Sequence, residues 1–121
     1  AIDNRYIACF GGVNHSLFIN TITDLYHLGK DTSLTDEQRK QKNYDYMSHY
    51  MTQPIAYYKF NQECYLFDTH TKQWLVLNTQ PDFARAGATL VGTPSEFYLI
   101  QGELKPGVRS PKTYKLKILS N

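Results

Sequence analysis

The chain has 121 residues, and thirteen Lys and Arg against eleven Asp and Glu give it a net charge of +2. This balance excludes the strongly basic surface of a typical nucleic-acid-binding protein, and the length allows one small domain or a piece of a larger one. The apolar runs are far shorter than the roughly 20 residues that cross a bilayer. No signal peptide pattern precedes the first strand pattern. From the charge balance and the short apolar runs, we expect neither a nucleic-acid nor a membrane partner.

Short strand patterns flank a helical insertion predicted at about 18–58. Each pattern is an apolar or alternating run that is ended by glycine, proline or turn residues. The predicted strands are 6–10, 63–68, 73–77, 85–91, 97–100 and 113–119. At 105–108, Pro and Gly occupy the two central positions of a type II turn. Strands of this length joined by short turns predict an all-β fold class.

Two helices are predicted inside the insertion. Apolar residues recur at helical spacing in the first, and Gly29 is placed to end it. Thr35 and Gln38 form a capping box at the start of the second helix, which ends before Pro54. The tyrosines of 44–58 indicate core packing more often than a platform that stacks on sugars.

The cysteines, the tryptophan and the histidines carry further expectations. Cys9 and Cys64 lie in apolar strand patterns, and we predict that both are reduced core residues. Trp74 is predicted to pack between sheets. Neither the cysteines nor the four histidines have the spacing of metal ligands, so we predict no metal site.

A degenerate repeat is visible in the strand patterns. One apolar strand ends at the glycine pair 11–12, and another runs into Gly-Glu at 102–103. Between these doublets, Asp68 and Trp74 are separated by five residues. An apolar strand with a glycine doublet, a tyrosine strand with Asp, and a Trp strand resemble the kelch repeat, which builds β-propellers of four-stranded blades.

Longer stretches resemble one kelch family in particular. They are Gly-Gly-Val-Asn at 11–14, Gln-Trp at 73–74, Ala-Gly-Ala at 86–88 and Gly-Glu-Leu-Lys-Pro-Gly-Val-Arg at 102–109. With the helical insertion, they make the chain similar to the bacterial N-acetylneuraminate mutarotases (epimerases), six-bladed kelch propellers of sialic acid catabolism. The resemblance implies a periplasmic isomerase that acts on a small-molecule sugar acid without a cofactor.

The chain is too short for a closed propeller. Without the insertion it supplies about two blades at roughly 40–50 residues each, and repeats that cannot bury their faces alone do not close a ring. We predict part of a single propeller domain with two incomplete four-stranded blades, one from 1–17 and 59–80 and the next from 81–121, interrupted by the insertion at 18–58. The remaining propeller blades are then needed as partners, and a homodimer is left open.

The sharpest pair of candidate site residues is Glu103 and Arg109. Phe97 and Glu103 fall on one face of a predicted strand, and the turn at 105–108 folds Arg109 back towards Glu103. Spacing alone leaves a weak surface salt bridge as the commoner interpretation. The family resemblance implies that Glu103 is the catalytic acid–base residue and that Arg109 binds the carboxylate of the substrate.

Other polar residues carry weaker expectations. Asn14 follows the glycine pair and is a candidate substrate-binding residue at the propeller mouth, although capping or turn use fits it equally well. The basic residues of 105–117 alternate with apolar ones, which indicates a solvated strand face more than a polyanion site.

Two functions compete at this point. The resemblance implies a sialic acid mutarotase that interconverts the α- and β-anomers of N-acetylneuraminate by acid–base ring opening and closure. The alternative is a non-catalytic kelch module that binds a protein or a glycan, because one fold serves many functions. The unpaired cysteines mildly disfavour the oxidising periplasm.

Overall fold

A computed structural model describes residues 1–93 and 95–119 of the chain. Antiparallel sheets dominate it, accompanied by two helices, and the strands within these ranges form no closed barrel. The chain divides into two compact units, a sheet unit of 1–13 with 59–119 and a helical unit of 14–58. Over the described ranges, neither helix is long and apolar enough to cross a membrane.

The described regular elements are eight strands, two α-helices and two short 3₁₀ turns. The strands are β1 (Tyr6–Phe10), β2 (Glu63–Asp68), β3 (Gln73–Thr79), β4 (Thr89–Gly92), β5 (Glu96–Ile100), β6 (Glu103–Lys105), β7 (Val108–Arg109) and β8 (Thr113–Lys117). The helices are α1 (His15–Lys30) and α2 (Asp36–Met51), and the 3₁₀ turns are Ile55–Tyr58 and Pro81–Phe83. The predicted end of the second blade at 120–121 lies outside the described residues.

Two three-stranded antiparallel sheets and one hairpin form the sheet unit. The first sheet has the order β1-β2-β3, the second has the order β4-β5-β8, and β6 with β7 makes the hairpin. The strand predicted at 85–91 begins only at Thr89, because Gly87 adopts a φ of +60° that interrupts an extended run. Residues 86 and 103 instead form an isolated bridge ahead of β4.

The core of the sheet unit lies between its two sheets. Phe10 and Cys64 pair across β1 and β2, so they share one face of the first sheet. Phe83 meets the Phe10 ring edge-on at 4.9 Å between centroids. Leu99 contributes from the second sheet, with Tyr114 packed against the same cluster. This burial raises the pKa of the Cys64 thiol to about 11, because a buried thiolate is poorly solvated.

The opposite face of the first sheet is not covered by any described residue of the sheet unit. We call it the uncovered face, and it presents Ile7, Cys9, Trp74 and Val76, all of them exposed. Trp74 is 58% exposed, although its ring lies 5.0 Å from that of Phe67. The predicted core positions of Cys9 and Trp74 are therefore wrong for this chain, since a pattern of apolar residues does not say which face finds a partner.

Capping residues define the start of α2 and the end of α1 in the helical unit. Thr35 and Gln38 form the predicted capping box at the start of α2. Helix α1 begins earlier than expected, at His15, and Gly29 lies inside it rather than ending it. That prediction is wrong because Asp31 provides the cap, with its backbone N–H donating to Leu28 O at 3.3 Å.

The tyrosines of the helical unit divide between core and surface. Tyr58 is 1% exposed, and the rings of Tyr50 and Tyr57 meet it edge-on at 5.3 and 5.4 Å. Burial raises the pKa of both Tyr58 and Tyr50. Tyr44 is 69% exposed, so the predicted core packing holds for the end of this stretch and fails at its beginning.

The chain leaves the sheet unit after Gly12 and returns to it before Asn61. Hydrogen bonds join Asn61 to the glycine pair 11–12, and we call this junction the neck. The backbone N–H of Asn61 donates to Gly12 O at 2.9 Å, and its side-chain Nδ2 donates to Gly11 O at 3.2 Å. The glycine pair has positive φ angles, and a Cβ on Gly11 would meet Arg85 O at 2.4 Å. The neck therefore requires glycine at Gly11 for both conformation and space.

Candidate functional site

The hairpin of β6 and β7 brings the two principal candidate residues together. Glu103 pairs directly with Arg109 across it, and Gly107 in the connecting turn has the positive φ, +76°, that a type II turn requires. The route to Glu103 differs from the expected continuous strand. Strand β5 ends at Ile100, because Gln101 and Gly102 follow with φ angles of +52° and +96°.

The side chains of Glu103 and Arg109 lie near each other without a direct hydrogen bond. Arg109 Nη2 is 3.9 Å from Glu103 Oε1, longer than the roughly 2.7–3.2 Å of an N–H···O hydrogen bond. The Arg109 side chain is 67% exposed and that of Glu103 is 35% exposed. An ion pair this loose stabilises little, and it leaves both groups able to bind a ligand from solvent.

The backbone around Glu103 is held more tightly than its side chain. Glu103 N donates to Ala86 O at 2.7 Å, and Ala86 N donates to Glu103 O at 2.9 Å. On the other side, Ser110 N donates to Gly102 O at 2.8 Å. A Cβ on Gly102 would meet the Cβ of Ala88 at 2.9 Å, so this position requires glycine as well. The hairpin is thus fixed at its base while its charged side chains stay accessible.

A buried arginine lies beneath this base. Arg85 is 3% exposed; its Nε donates to Asp82 O at 2.8 Å and its Nη1 donates to Gln101 O at 2.7 Å. The guanidinium also stacks on the ring of Tyr114, 4.9 Å from its centroid. The sequence predicts only that Arg85 begins a strand. The one feature that could have drawn attention to it is a basic residue directly before the small residues 86–88.

The third candidate, Asn14, is an N-cap. Its Oδ1 accepts a hydrogen bond from Leu17 N at 2.9 Å, which satisfies an otherwise unpaired donor in the first turn of α1. Of the two uses that the sequence leaves open, capping is the one this oxygen performs. Asn14 belongs to the helical unit, and its role in substrate binding stays a prediction.

Neither metal ligation nor a groove between the two sheets competes with the hairpin as the candidate site. Within 1–93 and 95–119, no three His, Cys, Asp or Glu side chains are placed to share a metal ion. A groove of about 510 Å³ lies between the two sheets, lined by residues such as Phe10, Leu77, Phe97 and Leu116. Neither Glu103 nor Arg109 lines it, and most of its lining residues are apolar.

Comparison with known proteins defines the family. The sequence model of N-acetylneuraminate epimerase matches residues 1–121, which is the whole chain. The chain belongs to the N-acetylneuraminate epimerase family. Proteins named N-acetylneuraminate epimerase from Escherichia coli O157:H7, Escherichia coli K12 and Shigella flexneri serotype 5b are each 32% identical to it over 111 residues.

These N-acetylneuraminate epimerases are much longer than the chain. Each alignment covers 92% of the chain but 28% of the relative, so the chain spans little more than a quarter of their length. The solved structure of YjhT superposes with a TM-score of 0.82 at 28% identity, covering the entire chain and 32% of YjhT. The fold of the chain is therefore that of one part of YjhT.

Proposed function

We propose that the full-length protein is a sialic acid mutarotase, an isomerase that interconverts the α- and β-anomers of N-acetylneuraminate. The observation that carries this proposal is the Glu103–Arg109 pair, 3.9 Å apart on one hairpin, in a chain that matches the N-acetylneuraminate epimerase family throughout. In this proposal Glu103 is the catalytic acid–base residue and Arg109 anchors the substrate.

The spacing of the two residues suits the chemistry of this sugar. N-acetylneuraminate carries its carboxylate and its anomeric hydroxyl on the same carbon atom. A guanidinium can hold a carboxylate through two parallel hydrogen bonds, which the point charge of lysine cannot do. Arg109 in that grip places the anomeric hydroxyl beside a neighbouring acid, and Glu103 is that neighbour.

Ring opening and closure then need only proton transfers. Glu103 takes the proton of the anomeric hydroxyl while the bond from the anomeric carbon to the ring oxygen breaks, and the ring oxygen takes a proton from water. Closure on the other face of the keto group reverses these transfers, with Glu103 returning its proton to the former carbonyl oxygen. The net reaction consumes no proton and needs no oxidant.

The test is exchange between the two anomers measured by NMR with the full-length protein. We expect Glu103→Gln to bind the sugar but to exchange it about 10²–10⁴-fold more slowly, because the amide cannot accept the proton. Arg109→Lys should chiefly weaken binding, because it keeps the charge and loses the fork. Glu96→Gln is the matched control, since it breaks the ion pair with Lys115 on the neighbouring sheet.

The same experiment decides between the two candidate functions. A Glu103→Gln variant that exchanges the anomers at the parent rate would remove the catalytic role of this residue. The non-catalytic kelch module, which binds a protein or a glycan, would then be the better description.

We also propose that the two three-stranded sheets are incomplete blades of a kelch-type β-propeller. Support comes from their packing face to face around Phe83 and from the uncovered face of the first sheet, which an adjoining blade would bury. The rest of the full-length protein supplies the missing strands, in keeping with the length of the relatives.

The family resemblance supports a periplasmic location, which we propose for the full-length protein. Cell fractionation tests it directly, with a periplasmic and a cytoplasmic marker enzyme followed in parallel. Recovery with the cytoplasmic marker would contradict the proposal, and it would agree with the unpaired state of Cys9 and Cys64.

A further inference from the structure

The link that leads into Glu103 has an unusual backbone. Gln101 and Gly102 both adopt left-handed φ angles, +52° and +96°. Glycine adopts such angles freely, but a residue with a Cβ is strained by them. A non-glycine residue stays in this region only where surrounding contacts hold it. The conformation of Gln101 therefore needs an external support.

Two hydrogen bonds hold the backbone of Gln101 in the described structure: its N–H donates to Lys112 O at 3.1 Å, and its carbonyl is bound by Arg85. Arg85 Nη1 donates to the carbonyl of Gln101 at 2.7 Å, and a charged donor makes a stronger hydrogen bond than a neutral one. The guanidinium cannot move away easily, because Nε is bonded to Asp82 O and the Tyr114 ring packs on its face. The Gln101 side chain is exposed, so packing of that side chain does not fix the link.

The main chain next to Arg85 holds the other end of the same segment. Ala86 exchanges both backbone hydrogen bonds with Glu103, at 2.7 and 2.9 Å. Residues 85 and 86 thus bind the segment 101–103 at its first and last residue. Arg85 itself forms no ion pair within the described residues, so its charge serves carbonyl groups and an aromatic ring rather than a carboxylate.

We propose that Arg85 is a positioning residue for Glu103, acting through the left-handed link at Gln101 and Gly102. This inference rests on the proposed function of Glu103. Loss of the guanidinium lets Gln101 relax towards a commoner φ, which rotates the start of β6 and displaces the Glu103 carboxylate. Displacements of about 1 Å reduce catalysis by up to about 10²-fold.

The first test is Arg85→Lys in the full-length protein, assayed by anomer exchange at a temperature where circular dichroism shows it folded. We expect kcat to fall by about 10–100-fold. Arg5→Lys is the matched control, because Arg5 is also bonded through its guanidinium in the sheet unit but has no contact with the hairpin. It should keep the parent kcat.

The second test is rescue by glycine. In the Arg85→Lys background, Gln101→Gly should restore kcat to within about threefold of the parent, because glycine holds the left-handed conformation without support. If Arg85→Lys yields little folded protein, the same double variant should restore the yield as well. An arginine that acts only by filling the core would gain nothing from this exchange, and that result would overturn the proposal.

Backbone amide hydrogen exchange separates this inference from the proposed function. Arg85→Lys should speed exchange at the N–H groups of Glu103 and Ser110 and leave Leu66 in β2 unchanged. Parent-like exchange at Glu103 together with parent kcat would refute positioning by Arg85. If Glu103→Gln proves fully active, the catalytic proposal fails, and the exchange rates still decide whether Arg85 holds the link.

Discussion

Cys64 is the side chain whose reactivity the fold suppresses most clearly. It is 1% exposed, and burial raises its pKa to about 11. With Cys9 replaced by Ser, we expect native protein to react with iodoacetamide at pH 8 roughly 100-fold more slowly than free cysteine, because only the thiolate is nucleophilic. Mass spectrometry of timed samples gives the rate, and the same variant in urea is the control. Labelling of the native protein at the rate of free cysteine would contradict burial between the sheets.

Asp68 stabilises the sheet unit only while it is ionised. Arg5 donates to its carboxylate through Nε at 3.1 Å and Nη2 at 2.6 Å, and the backbone N–H of His70 donates at 2.9 Å. The hydrogen bonds from Arg5 hold the pKa of Asp68 well below its usual range. The unfolded chain therefore binds a proton on this residue near pH 4, where the folded protein does not.

The free energy of unfolding therefore depends on the protonation of Asp68. The contribution of Asp68 is complete above the unfolded carboxyl pKa of about 3.9 and is lost as the pH falls below it. We expect Asp68→Asn to lower the free energy of unfolding at pH 7 and to flatten its slope between pH 5 and 3 in urea titrations. Arg5→Gln should have the same effect, and the double variant should add little to either. Additive losses would show that the pair is not coupled.

At the scale of single residues, the sequence predicts contacts within a short turn but not contacts that depend on the folded backbone. The turn residues Pro106 and Gly107 predict that Glu103 and Arg109 approach each other, since a hairpin is a short-range structure. The role of Arg85 is invisible in sequence, because its partners are carbonyls sixteen residues downstream and three residues upstream. Any residue provides such a carbonyl, so no pattern marks the acceptor.

At the scale of helices and strands, the sequence likewise predicts some features correctly and others not. The capping box of α2 depends on two residues three positions apart, and it forms as predicted. The sequence predicts the wrong residues for the end of α1 and the start of β4, because Gly29 is helical and Gly87 is not extended. Glycine allows a break in an element without requiring one.

The packing of the two sheets depends on one element that the sequence did not predict, the 3₁₀ turn Pro81–Phe83. It places Phe83 in the cluster that joins the sheets. We expect Phe83→Ala to reduce the free energy of unfolding by about 3–5 kcal/mol through lost burial and a cavity. Tyr44→Ala, at a position 69% exposed, should cost under about 1 kcal/mol. Chemical denaturation of the full-length protein measures both, and equal losses would contradict the assigned core.

At the scale of the whole molecule, the described part of this segment leaves many large apolar side chains exposed. All of β3 is exposed, including Trp74 and Leu77 at 58% each, and edge strands of this kind pair with other chains. We expect the segment produced alone to aggregate or to melt without a cooperative transition. The full-length protein should be monodisperse under the same conditions. A monomeric 14.0 kDa species with a cooperative melt would refute this expectation.

The uncovered face shows why alternation in the sequence does not define the core by itself. Alternation in β1 and β3 shows which residues share a face, and it marks both faces of the first sheet as apolar. Which face is buried depends on neighbours, and among the described residues of the sheet unit only the face that packs on the second sheet has one. Their pattern predicts core positions for Cys9 and Trp74, but no described residue of the sheet unit covers them.

The neck between Asn61 and the glycine pair has a consequence for how such proteins diversify. It fixes the two ends of 14–58 beside each other, independently of what lies between them. Each doubling of a loop changes its closure free energy by only about 0.6 kcal/mol. Helices can therefore be inserted, removed or exchanged at this position while β1 and β2 keep their register. The neck is thus a site where a new recognition segment can be inserted.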